Sequence, residues 1–212
     1  MLQATLYDYW RSSASYRVRI ALNLLGIEHA RVPVNLLTGE HKAPEHLARN
    51  PQGLVPALEI DGLTLTQSLA ILEYLDETRE AGFLPDDPAG RARVRAIAYA
   101  IAMEIHPVCN LAVARHAAEA SAGAISVERW MKAFIGPGFA AVERMLEDPA
   151  TGRFCHGDRI GLADICLVPQ VYNARRWDVD LGPMPMVRRI AETLEAHPAF
   201  AAAHPDRIAP PV

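Results

Sequence analysis

Along the first third of the chain, apolar residues fall in short stretches that alternate between strand-like and helix-like spacing. Ala4 to Tyr9 reads as a strand. Ser13 to Leu25 reads as a helix, with Val18, Ala21, Leu22 and Leu25 at i, i+3, i+4 and i+7 and with Ile20 and Leu24 widening the apolar face. Gly26 follows as a stop signal. Ala30 to Val34 is a second β-rich run, and Glu45 to Arg49 is long enough for one or two helical turns. Ala57 to Ile60 and Leu63 to Leu65 flank Asp61-Gly62, a two-residue hairpin signal. Ser68 to Glu77 returns to helical spacing, with Leu69, Leu72, Tyr74 and Leu75 apolar.

The order β-α-β-(α)-β-β-α, a crossover followed by a hairpin and a covering helix, predicts an α/β thioredoxin-like domain with a mixed sheet over residues 1–84. Ala81 to Pro88 reads as a linker, rich in Gly, Pro and Asp. Beyond it the spacing is helical, which predicts an all-α domain over residues 89–212. Arg91 to Ile105 is one helix, continued by Val108 to Ala122 after a kink at Pro107. Ser126 caps another, with Val127, Trp130, Met131 and Phe134 inward, and Gly136-Pro137-Gly138 must break or bend it. Leu162 to Ala174 and Met186 to Glu195 are two more. The tail from His197 carries six Pro or His residues among its last sixteen and is expected to wrap the surface as coil.

Composition changes this picture little. The 212 residues are half apolar, enough for one or two domains with real cores. A formal net charge of -4 leaves no nucleic-acid footprint. No apolar run approaches the roughly 18 residues of a membrane span, and Met1 to Thr5 shows no signal-peptide pattern. Cys109, Cys155 and Cys166 are far apart, odd in number and form no CxxC, so a disulfide framework is not expected and a cytoplasmic location is. The histidines have no ligand-like spacing, and no metal is expected.

The chemistry concentrates where the first strand hands over to the first helix. Arg11, Ser12, Ser13 and Ser15 occupy that turn, where free N–H groups and the positive end of the helix dipole stabilise a thiolate or carboxylate. The run Ser12-Ser13-Ala14-Ser15-Tyr16-Arg17-Val18-Arg19-Ile20-Ala21-Leu22 resembles the signature of the zeta-class glutathione transferases, the maleylacetoacetate isomerases, with Ala14 where that signature has cysteine. The resemblance covers nearly the whole chain and implies the glutathione transferase fold, with glutathione as cofactor.

Further site residues follow from the same resemblance. Pro56, which opens a strand, matches a proline that is cis in the family, and Val55 before it would offer its backbone to glutathione. Gln67-Ser68, at a helix start suited to a carboxylate, would take the γ-glutamyl end. His41 matches a glutathione-contacting glutamine. His106 and Asn110, at i, i+4 around Pro107, match a stretch on the thiol side. Gly157 to Asp164 resembles the family's folding motif, a capping box in which Gly161 replaces the hydroxyl cap. Two arginines, Arg11 and Arg176, would clamp a diacid, since bidentate guanidinium suits carboxylates better than lysine does.

The resemblance implies cis-trans isomerisation of maleylacetoacetate, or of the similar maleylpyruvate, in aromatic amino acid or aromatic acid breakdown. Ser12 would hold the thiolate, with Ser13 and Ser15 as further donors. Two other readings share the scaffold: a general glutathione transferase that conjugates or dehalogenates small electrophiles, and a non-catalytic glutathione-binding protein. A dithiol redox protein is disfavoured, because Ser12 to Ser15 offers no cysteine. Family members are usually homodimers, and a homodimer is expected here.

Overall fold

In the computed structural model, which describes residues 4–210, β1 (Ala4–Asp8) lies at the middle of a four-stranded sheet ordered β2-β1-β3-β4. β2 (His29–Pro33) runs parallel to β1, while β3 (Ala57–Ile60) and β4 (Leu63–Thr66) complete the sheet antiparallel. The mixed sheet is the one anticipated from the element order. Asp61 and Gly62 both adopt positive φ (53° and 76°), as a two-residue hairpin turn with the twist of its strands requires.

Along β1, Ala4, Leu6 and Asp8 are buried and Thr5 and Tyr7 less so, the alternation of a strand with one covered face. α1 (Ser13–Leu24) and α3 (Ser68–Arg79) pack on each other. On another side of β1, Tyr7 donates its hydroxyl to Glu59 at 3.2 Å and lies under Arg49 of α2 (Pro44–Arg49), 4.3 Å from its guanidinium.

The amphipathic reading of α1 understates it: every residue from Ser13 to Leu22 is buried. The buried set includes Arg17 and Arg19, at 1% and 2% exposure. Arg19 reaches Asp8 at 2.7 Å, the Trp10 carbonyl at 3.0 Å and the Ala203 carbonyl at 3.1 Å. Asp8, fully buried, also pairs with Arg31 at 3.4 Å.

The second covering of α1 is the chain's own C-terminal segment, and here the expected coil is corrected. Residues 196–212 group with residues 1–81 as one compact unit, leaving 82–195 as the other; the division expected at 84/89 kept the tail with the helical part. The tail forms α10 (Pro198–Ala203) and α11 (Pro205–Ile208). His197 and His204 cap them, each accepting a backbone N–H on Nδ1 at 3.3 Å. The prolines that read as helix breakers stand in the first turn, where a missing N–H and a preset φ favour a helix. Phe200 is fully buried, and Asn23 donates to the Ala199 carbonyl at 3.0 Å.

The helical unit is built on α4 (Pro88–Tyr99), which runs through a π-helical segment (Ala100–Ile105) into a short α5 (His106–Val108). α8 (Leu162–Arg176) packs on α4 and on α9 (Pro185–Glu195). α7 (Val127–Leu146) continues without a break through Gly136-Pro137-Gly138, so of the break or bend expected there the break does not occur. Gly138 explains why this triplet serves packing: a Cβ there would sit 2.5 Å from Ile105 Cγ1, so glycine lets α7 close on the π segment. The helix-continuing reading past Pro107 is also corrected. The break falls at Cys109 and Asn110, where Asn110 turns extended and caps α6 (Leu111–Ala120). Pro107 cannot donate to the helix ladder, and it stands directly after the π segment, in whose last turn the His106 N–H reaches the Ile101 carbonyl. Among the described residues no single helix is long and apolar enough to cross a membrane.

The folding motif of α8 stands as half a capping box. Asp164 accepts the Gly161 N–H at 2.8 Å and the Cys155 N–H at 2.9 Å. Glycine is required at 161 because a Cβ would lie 2.9 Å from the Phe83 carbonyl, which accepts the Leu162 N–H at 2.8 Å. Burial pushes the Asp164 carboxyl up to about 6, although the N–H donors from Cys155 and Gly161 pull the other way.

Two outcomes follow. Asp8→Ala leaves Arg19 charged and buried without its partner, and urea unfolding should show a loss of about 3–5 kcal/mol. For Asp164, a native pKa raised from 3.8 to about 6 means that the folded state holds the proton more tightly. Its contribution is present below the unfolded value and fades as pH rises through 6. The stability of the parent relative to Asp164→Asn should therefore fall between pH 4 and pH 6.5, by about 3 kcal/mol; a flat difference would contradict this.

Candidate active site

The turn between β1 and α1 is closed by the Ser12 N–H donating to the Tyr9 carbonyl at 2.8 Å. Ser12 is extended (φ -69°, ψ 120°), and its Oγ accepts the Ser15 N–H at 3.2 Å. It is thus the N-cap of α1, and its hydroxyl proton is left to donate elsewhere. The Ala14 N–H, in the first turn, has no intrahelical carbonyl to meet. Ser13 is buried beside it. Ser15 is fully buried, and its Oγ has no hydrogen-bond partner among the described residues. Arg11 stacks on Trp10 at 4.6 Å and donates Nη2 to the Tyr9 hydroxyl at 3.3 Å, while its Nε is buried and unpaired.

The Val55–Pro56 peptide is cis, and β3 begins directly after it. The loop ahead is fixed by two donors on one carbonyl: His46 Nε2 and Asn50 Nδ2 both lie 2.8 Å from the Leu54 oxygen. Gly53, at φ +60°, lies against the 3-10 turn Glu40–Lys42; a Cβ there would meet the His41 carbonyl at 2.9 Å. His41 is held below its ordinary pKa by burial first, then by Lys42 and His46, and its Nδ1 is buried without a partner among the described residues.

Gln67 is the N-cap of α3 in a conformation that L-residues avoid, φ 65° and ψ 110°. Its amide donates to Gln52 Oε1 at 2.6 Å, and Lys42 Nζ donates to the Gln52 carbonyl at 3.2 Å. Ser68, buried next to it, accepts Arg17 Nη1 at 3.2 Å. Hydrogen bonds and packing thus join the first turn of α3 to α1 on one side and to the His41 turn on the other. Arg17, Gln52 and Lys42 were not singled out from the sequence. Arg17 stood inside the quoted signature as a helix residue, and nothing in helical spacing marks its direction.

In the helical unit the sequence expectation holds less well. His106 lies in α5, before the break, and Asn110 lies past it, so the two do not share one helical face. Asn110 Oδ1 is committed to the Ala112 N–H at 2.9 Å, which leaves its amide nitrogen as the donor. Arg176 is exposed in the last turn of α8, its guanidinium 6.0 Å from the Tyr172 ring and 5.9 Å from the Trp177 ring. Arg175 is tied to Glu195 at 2.5 Å.

The sheet order, the cis proline before β3 and the serine-capped α1 define a thioredoxin-like glutathione-binding domain, and with the helical unit, a glutathione transferase. The N-terminal domain family of glutathione S-transferases matches residues 2–77. A maleylacetoacetate isomerase of Rhizobium meliloti (strain 1021) is 63% identical over 210 residues, covering 98% of this chain and 99% of that protein. The holo structure of a maleylpyruvate isomerase, a bacterial zeta-class glutathione transferase, superposes with a TM-score of 0.94 at 39% identity, covering 98% and 100% of the two chains. A maleylacetoacetate isomerase of Methylobacterium extorquens AM1, solved with malonate and glutathione bound, gives a TM-score of 0.90 at 41% identity, covering 96% and 97%. The chain belongs to the maleylacetoacetate isomerase family, the zeta class of glutathione transferases.

The strain at Gln67 supplies a test of this site. Gln67→Gly relieves the positive φ but removes the amide that spans to Gln52. Thermal unfolding should show no loss, or a gain of up to about 1 kcal/mol, while glutathione affinity measured by calorimetry falls severalfold.

Proposed function

We propose that this chain is a glutathione-dependent isomerase that converts maleylacetoacetate, a cis-enedione diacid, to its trans isomer fumarylacetoacetate in aromatic amino acid or aromatic acid breakdown. The observation that carries the reading is the first turn of α1. Ser12 accepts the Ser15 N–H and keeps its own proton for an outside acceptor, at the positive end of a buried helix. The residues fit glutathione: Ser15 Oγ, Arg11 Nε and His41 Nδ1 are buried polar atoms without partners among the described residues.

Glutathione, when bound, supplies a thiolate that adds reversibly to the conjugated double bond, so that rotation about it becomes free. The Ser12 hydroxyl donates toward the sulfur and, with the α1 dipole, lowers its pKa. Ser13 and Ser15 add donors beside it. Val55 holds the peptide through its backbone next to the cis bond, Gln67 and Ser68 take the γ-glutamyl carboxylate, and neutral His41 supplies a further polar contact. Arg11 offers positive charge where a substrate oxygen gains electrons. Within the helical unit, Arg176 is assigned to a substrate carboxylate, and His106 and the Asn110 amide nitrogen are assigned as further polar contacts. The malonate bound with glutathione in the Methylobacterium enzyme supports a small diacid as substrate.

Maleylpyruvate is the second substrate of this reading, supported by the maleylpyruvate isomerase at TM-score 0.94. The reading extends to a cytoplasmic homodimer: Cys109, Cys155 and Cys166 form no disulfide among the described residues, which suits a reducing compartment, and homodimers are usual in the family.

The test is a rate assay with maleylacetoacetate and maleylpyruvate, each with and without glutathione. Ser12→Ala should lower kcat by about 10²-fold with little change in substrate KM. Arg176→Ala should raise substrate KM by about tenfold with kcat little changed. Equal, negligible effects from both would remove these roles.

A further inference from the structure

We infer that Arg17 is the positioning residue of the carboxylate end of the site, acting through Ser68. This rests on the placement of the γ-glutamyl carboxylate at Gln67 and Ser68 proposed above. Arg17 stands in the second turn of α1, 1% exposed, and donates Nη1 to Ser68 Oγ at 3.2 Å. A serine hydroxyl has two acceptor lone pairs and a single proton. With a guanidinium N–H on one lone pair, that proton turns away from Arg17. It points to the remaining side of Ser68, where α3 begins and its first N–H groups are open.

Three consequences follow from this geometry. The Ser68 hydroxyl becomes a fixed donor, suited to an anion and unsuited to a cation. A cationic donor behind the oxygen also polarises it, so the outward O–H bond strengthens. And because guanidinium does not lose its proton in the working range, the orientation is kept across pH. Arg17 touches neither thiol nor substrate in this scheme. It makes the first turn of α3 selective for a carboxylate and links that turn to the helix whose start holds the sulfur. A lysine could carry the charge but not the rigid fork.

A merely structural strut between α1 and α3 would support every ligand alike, and that difference is measurable. Glutathione and 4-aminobutyryl-Cys-Gly, which lacks only the γ-glutamyl α-carboxylate, are titrated calorimetrically into the parent protein, Arg17→Met, Arg17→Lys, Ser68→Ala and Arg17→Met/Ser68→Ala. In the parent, glutathione should bind at least tenfold tighter than the analogue. Arg17→Met should raise the glutathione Kd about tenfold and leave the analogue's within twofold. Its effect should vanish in the Ser68→Ala background. Arg17→Lys, which keeps the charge and much of the packed stem, should lose about threefold for glutathione alone and serves where the methionine variant does not fold.

Equal losses for both ligands, or additive effects of Arg17→Met and Ser68→Ala, would overturn the role of Arg17 while leaving the carboxylate at Ser68. A parent protein that binds the two ligands equally would overturn the carboxylate assignment itself, and the inference with it.

Discussion

The buried pair of Asp8 and Arg19 is the interaction on which the glutathione-binding unit depends. Asp8 ends the central strand, and Arg19 stands in the middle of the helix that follows. Removing two charges from water is costly, and burial depresses the Arg19 guanidinium's pKa even with Asp8 opposing it. What makes the arrangement useful is its geometry. The same guanidinium reaches the Trp10 carbonyl, in the turn that carries the site serines, and the Ala203 carbonyl, in the C-terminal segment. An apolar residue of equal volume could fill the space but could not fix either oxygen. The charge pair therefore sets the position of the site turn relative to the sheet.

Around that fixed turn, local rules are broken at two of the candidate site residues. Gln67 takes a positive φ without being glycine, and Ser15 keeps a buried hydroxyl with no partner among the described residues. Such departures persist only when the surroundings over-determine them. Here the surroundings are explicit: Gln52 holds the Gln67 amide, Lys42 holds the Gln52 carbonyl, and His46 with Asn50 holds the Leu54 carbonyl before the cis peptide. The site is thus a set of loop segments pinned to one another by side-chain bonds.

The helical unit solves a packing problem by other means. Its long first helix widens into a π segment just where α7 comes closest, and glycine at 138 admits the Ile105 side chain. Buried carboxylates then finish helix ends: Asp164 at the start of α8, and Glu143, which accepts the Met186 and Val187 N–H groups at 2.8 and 2.9 Å, at the start of α9. These groups serve stability. His106, Asn110 and Arg176, the candidate residues of this unit, stand close to helix ends: His106 in the short α5, Asn110 as the cap of α6 and Arg176 in the last turn of α8.

The sequence by itself determined the strands and main helices between residues 4 and 81, because strand alternation, the Asp-Gly turn and the serine cap act over a few neighbouring residues. It also placed Ser12, Val55, Gln67 and Ser68 at element boundaries, since the signals for a helix cap or a strand start are local. Tertiary structure decided the rest. Periodicity could show that α1 has an apolar face, but not that Asp8, Arg17 and Arg19 would be buried on its other sides, because a charge is buried only where a distant partner meets it. His-Pro at 197 and 204 looked like the end of order and proved to start two helices. A proline and an imidazole begin a helix or break a chain according to whether something distant packs on the turn they make, and here α1 does.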